Sequence, residues 1–202
     1  EASHGNKEAN YWIHNAFLMV DGGKMSKSLG NTYTVDDLEE KGFDPLAFRY
    51  FLLGAHYRTP QNFTWEALEA AQNALNNLRD TVREWNEPSA SDDLDRFQNI
   101  INNDLDLPGA LAELWNVVNG DLDTSIKAAM LLKMDTVFGL GLESYVAKQL
   151  DAPIEVKDML KARKEARESK DWTLSDTLRD EIQAAGFDVK DTADGQRLVE
   201  KR

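Results

Sequence analysis

The chain has 202 residues, 42% of them hydrophobic, enough to fill a core in one or two domains. Its 29% charged residues and mean hydropathy of -0.54, with no apolar run near the roughly 18 residues of a membrane span, exclude a bilayer-crossing helix. The 23 Lys/Arg against 36 Asp/Glu give a net charge of -13, which disfavours non-specific binding to phosphate backbones, and the absence of cysteine excludes a disulfide scaffold or a thiolate zinc site.

The charge is unevenly spread. Residues 160–202 hold ten Lys/Arg and ten Asp/Glu, so the whole deficit lies in residues 1–159 and the tail is the segment least hostile to a nucleic acid. Three histidines, His4, His14 and His56, are too scattered to predict a metal cluster. The chain opens at Glu1 rather than Met, in a polar stretch without an export leader, and is expected to be a piece of a longer protein.

In chain order, Phe17–Val20 reads as a strand and Asp21-Gly22-Gly23 as a tight turn. The lysine-bearing stretch Lys24 to Asn31 follows as a loop. Thr34 with Asp37 predicts a capping box, and Asp44-Pro45 a second helix start running through Leu53. Leu68, Ala71, Leu75, Leu78, Val82 and Trp85 form one helical stripe capped by Thr64, with the intervening polar residues read as a solvated face. Residues 87–92 are the linker candidate. Helices are then predicted through Leu94 to Ile101, through Leu111 to Val118 after a break at Asp104 to Pro108, and through Ile126 to Gly139. Two more span about Ile154 to Lys170 and Trp172 to Ala185, with Gly186 as a stop. A hairpin from Phe187 to Val199 closes the chain around Asp194-Gly195. The expected fold class is mainly α, a helical bundle with a small β element at each end.

Lys24-Met25-Ser26-Lys27-Ser28 is the stretch best suited to chemistry. Two lysines three apart, among hydroxyls and glycines, can close on a polyphosphate as charge builds on its leaving group. Lysine suits that task as a flexible point charge. It is not a Walker loop, and on the two lysines alone a solvated basic turn is the competing reading.

The wider sequence identifies the stretch. Lys24 to Asn31 reads KMSKSLGN, the signature of class I aminoacyl-tRNA synthetases. With Asn10-Tyr11-Trp12-Ile13-His14-Asn15 before it, and Arg49-Tyr50-Phe51-Leu52-Leu53 and Ala55-His56-Tyr57-Arg58-Thr59-Pro60 after it, the chain resembles cysteinyl-tRNA synthetases. The resemblance continues through Asn103 to Leu111, Ala166 to Trp172 and Asp188 to Gln196, and corresponds to the C-terminal half of that enzyme.

The resemblance implies a cytoplasmic, monomeric cysteine–tRNA ligase that uses ATP and cysteine and charges tRNA(Cys). It divides the chain into a remnant of a Rossmann-type catalytic domain over 1–33, a stem-contact region over 34–86, a DALR-type bundle over 92–150 and anticodon-recognition elements over 153–202. Lys24 and Lys27 are the implied catalytic residues, with Met25, Ser26 and Ser28 completing the ATP loop. The family's zinc would be held by upstream residues absent from this chain, as would its His-x-Gly-His motif, so the chain alone is expected to be inactive. The alternatives are a related ligase joining cysteine to an amino-sugar, which needs no anticodon domain, and a non-catalytic helical interaction module.

In the tail, Arg163, Arg167 and Lys170 fall at helical steps that predict a basic face. Trp172 could stack on an unpaired base, while Asp176 and Asp191 could accept from base amino groups. Against this, Arg167 could pair with Asp171, Trp172 could be a core residue and Asp191 a turn cap. His14 is placed on the strand leading into the loop, and His56 is expected to satisfy the last carbonyls of the second helix.

Overall fold

The computed structural model describes residues 9–90, 94–192 and 195–201, with the side chains of Lys27 and Thr192 outside the description. The predicted linker therefore runs out of the described residues after Ala90, and Asp194 of the predicted turn lies outside them. Two compact units divide at Val146/Ala147.

The first unit opens with a three-stranded sheet. Strand β1 (Leu18–Val20) turns through Asp21-Gly22 into β2 (Gly23–Lys24), antiparallel, with Val20 opposite Gly23. Both turn residues have positive φ, +49° at Asp21 and +75° at Gly22, the geometry a two-residue hairpin requires. The sequence reading placed a lone strand here. The structure adds β3 (Gln61–Phe63), parallel to β1 with Leu18 opposite Gln61 and Val20 opposite Phe63, so the sheet order is β2-β1-β3. His14 precedes β1 on irregular, exposed chain rather than lying on the strand.

Helix α1 (Val35–Glu40) is closed by the predicted capping box: the Asp37 amide donates to Thr34 Oγ1 and the Thr34 amide to Asp37 Oδ2, at 3.3 and 2.6 Å. The bond from the Thr34 amide foremost, then one from the Thr34 hydroxyl to Asp37 Oδ2 at 2.8 Å, holds the Asp37 carboxyl below its ordinary pKa. Helix α2 (Pro45–Leu53) starts on the Asp44 cap. Val20, Leu38, Ala47, Phe63 and Leu68 make a buried cluster beneath the sheet, with Tyr33, Phe43, Phe48, Phe51 and Trp65 packed around it.

Helix α3 (Trp65–Val82) buries the whole predicted stripe, and Trp85 continues it just past the helix end. The face read as solvated is partly interior: Asn76, Arg79 and Asp80 are buried. Arg79 Nη1 donates to Asp44 Oδ2 at 2.6 Å, and the Arg79 guanidinium lies over the Tyr145 ring. These partners come from distant chain, out of reach of a local pattern. Helices α4 (Asp95–Asn102), α5 (Leu107–Asn119) and α6 (Thr124–Phe138) complete the bundle around Phe97, Leu114, Leu131, Met134 and Phe138. Helix α5 begins inside the predicted break, because Asp106 caps it and Pro108 occupies its first turn. A 3-10 turn follows at Leu142–Ser144.

The second unit is an αα-hairpin, α7 (Ile154–Glu168) and α8 (Trp172–Ala184), with the hairpin β4 (Phe187–Thr192) and β5 (Gly195–Glu200). Its core is Ala152, Val156, Ile182 and Val189. No helix among the described residues is long and apolar enough to cross a membrane.

Candidate functional site

The lysine-bearing stretch is more ordered than a plain loop. Lys24 ends β2 with an exposed side chain, and Lys27–Leu29 forms a 3-10 turn. The Met25 side chain is half-buried against the core beneath the sheet, beside Leu18, Tyr33 and Phe48. The hydroxyls of Ser26 and Ser28 lie 2.7 Å apart. An open groove of about 670 Å³ runs beside the hairpin, lined by Phe17, Met19, Gly22, Gly23, Lys24 and Pro60. Its walls are mostly apolar, with the Lys24 ammonium at the edge, a combination suited to a flat ring with a charged tail. Among the described residues no carboxylate pairs with Lys24.

Two asparagines that the sequence reading did not single out hold this hairpin. The Ser26 amide donates to Asn31 Oδ1 at 2.8 Å, while Asn31 Nδ2 donates to the Lys24 carbonyl at 3.1 Å. At the other end, the Gly22 amide donates to Asn62 Oδ1 at 2.7 Å. Asn31 carried a local signal, an amide side chain just after Gly30 at φ +66°. Asn62 carried none, since its partner is 40 residues away.

The segment after α2 is tied to the turn between α4 and α5. His56 Nε2 donates to the Asp104 carbonyl at 3.0 Å, so His56 does not serve the last carbonyls of α2. Tyr57 Oη donates to Asp104 Oδ1 at 2.7 Å and Arg58 Nε to Oδ2 at 2.8 Å. The Arg58 guanidinium foremost, then the Tyr57 hydroxyl, holds the Asp104 carboxyl below the ordinary carboxylate range. Asp104 and Leu105 both have positive φ, +56° and +57°, and these contacts hold that unfavourable turn.

In the second unit the predicted basic face is divided. Arg163 is buried and bonded to Asp191 Oδ1, at 3.3 Å, and to Gln196 Oε1. It points inward because β4–β5 covers that side of α7. Arg167 stays on the surface and reaches Asp191 Oδ2 at 3.2 Å, not Asp171, which instead caps α8 through the Leu174 amide. Lys170 lies past the end of α7 at φ +61°. Trp172 is 56% exposed at the first position of α8, and the Arg167 guanidinium sits 6.0 Å from its ring centroid. The core reading of Trp172 is therefore excluded. Asp176 is exposed one turn along α8. Asp191 lies on β4 rather than in the turn.

Comparison with known proteins places both regions. The model for class I (C) tRNA synthetase catalytic domains matches residues 1–73, and that for the cysteinyl-tRNA ligase anticodon-binding domain matches residues 150–198. The chain belongs to the cysteinyl-tRNA ligase family. Among its relatives, cysteine–tRNA ligase 1 of Burkholderia lata is 44% identical across 98% of this chain and 43% of its own length. The ligases of Opitutus terrae and Protochlamydia amoebophila are 38% and 34% identical across 98% of the chain, covering 43% and 46% of their lengths. The chain thus spans less than half the length of these curated relatives.

The first family match contains Lys24, Lys27 and Asn31, and the second contains Arg167, Trp172, Asp176 and Asp191. Zinc does not fit the residues present. The sequence holds no cysteine, and among the described residues no three of His, Asp and Glu gather as a ligand set.

Proposed function

We propose that this chain is the part of a cysteine–tRNA ligase that engages the ATP phosphates and reads tRNA(Cys). The observation that carries the reading is the presence, in one chain aligned end to end with cysteine–tRNA ligases, of a clasped KMSKS hairpin and an anticodon-binding unit with an exposed indole. An amino-sugar ligase or a plain interaction module has no use for the second of these.

In the proposed reaction the cysteine carboxylate attacks the α-phosphorus of ATP and pyrophosphate leaves; the tRNA terminal hydroxyl then attacks the carbonyl of the adenylate, takes the cysteinyl group and releases AMP. As the bond to pyrophosphate breaks, charge builds on the leaving oxygens. The Lys24 and Lys27 ammonium groups stabilise that charge, Ser26 and Ser28 offer hydroxyl donors, and Met25 anchors the loop to the core. The groove beside β1–β2 is the place for the nucleotide.

In the tail, Trp172 stacks on an anticodon base with Arg167 beside it, and Asp176 and Asp191 accept from base amino groups. A carboxylate repels phosphate, so these two serve base choice rather than general affinity. Residues 1–33 act as the edge of the catalytic domain, 34–86 as the stem-contact region, 92–150 as the DALR-type bundle and 153–202 as the anticodon reader. The enzyme works in the cytoplasm as a monomer.

Cysteine-dependent ATP–pyrophosphate exchange tests the reading. A complete ligase carrying this chain should exchange, and the pure 202-residue chain should not, since its sequence contains no His-x-Gly-His motif and the groove supplies only part of the nucleotide site. Appreciable exchange by the chain alone would contradict this division of labour.

A further inference from the structure

The hairpin that presents Lys24 is closed by one side chain. Asn31 uses both ends of its amide: the oxygen accepts from the Ser26 amide at 2.8 Å and the nitrogen donates to the Lys24 carbonyl at 3.1 Å. It therefore spans Met25 and fixes the backbone on both sides of it. Three further features hold the same short segment. The Met25 side chain is seated against the apolar cluster, the Ser26 and Ser28 hydroxyls meet at 2.7 Å, and Asn62 holds the Gly22 amide at the far end of β2. Gly30, at φ +66°, reverses the chain so that residue 31 returns to residues 24–26.

We propose that Asn31 is a positioning residue for adenylate formation, resting on the function proposed above. A flexible loop must lose backbone freedom when it closes on a departing pyrophosphate, and that loss opposes the step. The Asn31 clasp removes part of the cost beforehand, because the segment that carries Lys24 is already turned and tied. The chemistry of the clasp is specific to an amide. Aspartate would keep the acceptor for the Ser26 amide and lose the donor to the Lys24 carbonyl, whereas alanine would lose both.

The test has two measurements. Amide hydrogen exchange of the 202-residue chain, followed residue by residue by NMR without ligand, reads the clasp itself. Asn31→Ala is expected to speed exchange of the Ser26 amide about tenfold or more while leaving α2 and α3 unchanged. Asn31→Asp should keep most of that protection. Steady-state pyrophosphate exchange by the complete ligase carrying this chain reads the consequence. Asn31→Ala should lower kcat about tenfold, hold KM for ATP within about twofold and leave the active-site titre unchanged, with partial rescue in Asn31→Asp.

Unchanged Ser26 exchange would mean that there is no clasp. Faster exchange with an unchanged kcat would mean that the clasp does not serve adenylation. A titre falling in step with kcat would reduce Asn31 to a folding role. Each overturns the proposal. Lys24→Ala, assayed alongside, separates it from its premise: a slow Lys24→Ala with a normal Asn31→Ala removes only the clasp's role, while full activity in both removes the loop's function as well.

Discussion

The lysine hairpin and the tail treat their cations in opposite ways. Lys24 stands at the edge of an apolar groove with no carboxylate partner among the described residues. In the tail Arg163 is buried on Asp191, and Arg167 reaches the other oxygen of the same carboxylate. A mobile ammonium can follow charge as it moves onto a leaving group, and the hairpin keeps its backbone fixed while leaving that group loose. In the tail one aspartate holds two of the arginines, and residues 160–202 balance ten Lys/Arg against ten Asp/Glu. Under the proposed function, recognition there comes from the exposed Trp172 and from directional hydrogen bonds, which select a base, rather than from a field that would attract any phosphate.

The contrast can be broken most easily at the hairpin. In the complete ligase Lys27→Ala should slow adenylate formation by roughly 10² to 10³, measured by pyrophosphate exchange, as loss of a transition-state donor does. An unchanged rate would make the stretch an ordinary basic turn. Next in size is the structural arginine of the tail. Arg163→Met should lower the stability of the second unit by about 2–3 kcal/mol in urea melts, at the low end for a broken buried pair because Asp191 is half exposed. Trp172→Ala should cost roughly 1–3 kcal/mol in tRNA binding without changing the melt. Arg167→Ala should reduce the slope of log K against log salt by less than about one, since the guanidinium already shares its charge with Asp191.

The smallest effect concerns Asp104. Its carboxyl is held below the ordinary value in the folded chain, chiefly by Arg58, so its ties contribute stability above the unfolded value of about 3.9. That contribution is lost as pH falls through the folded value. The side-chain carboxyl carbon shift of Asp104 should therefore show its main titration step only below about pH 4; a main step above about pH 5 would contradict the assignment.

Local signals in the sequence were good guides. The Thr34–Asp37 box, the Asp44-Pro45 start, the Leu68 to Trp85 stripe and the terminal hairpin all depend on residues within a turn or two of one another, and all stand in the structure. What escaped depends on distant partners. Strand β3 is three residues long and exists because β1, some 40 residues earlier, offers a parallel edge. Arg79 and Arg163 read as surface charges because the carboxylates that accept them, Asp44 and Asp191, come from elsewhere in the chain. The candidate residues of the hairpin were legible as a motif, but the clasp that shapes it was not: Asn31 donates back across a 3-10 turn that no periodicity announces.

The separation of chemistry from recognition is tested most directly by assaying Lys24→Ala and Trp172→Ala side by side in the complete ligase, for pyrophosphate exchange and for cysteine charging of tRNA(Cys). Lys24→Ala should lose both activities together, because charging needs the adenylate. Trp172→Ala should keep full exchange and lose charging by the factor of about 5 to 150 that corresponds to 1–3 kcal/mol of stacking. Loss of exchange in Trp172→Ala, or normal exchange in Lys24→Ala, would contradict the division of the two tasks between the hairpin and the tail.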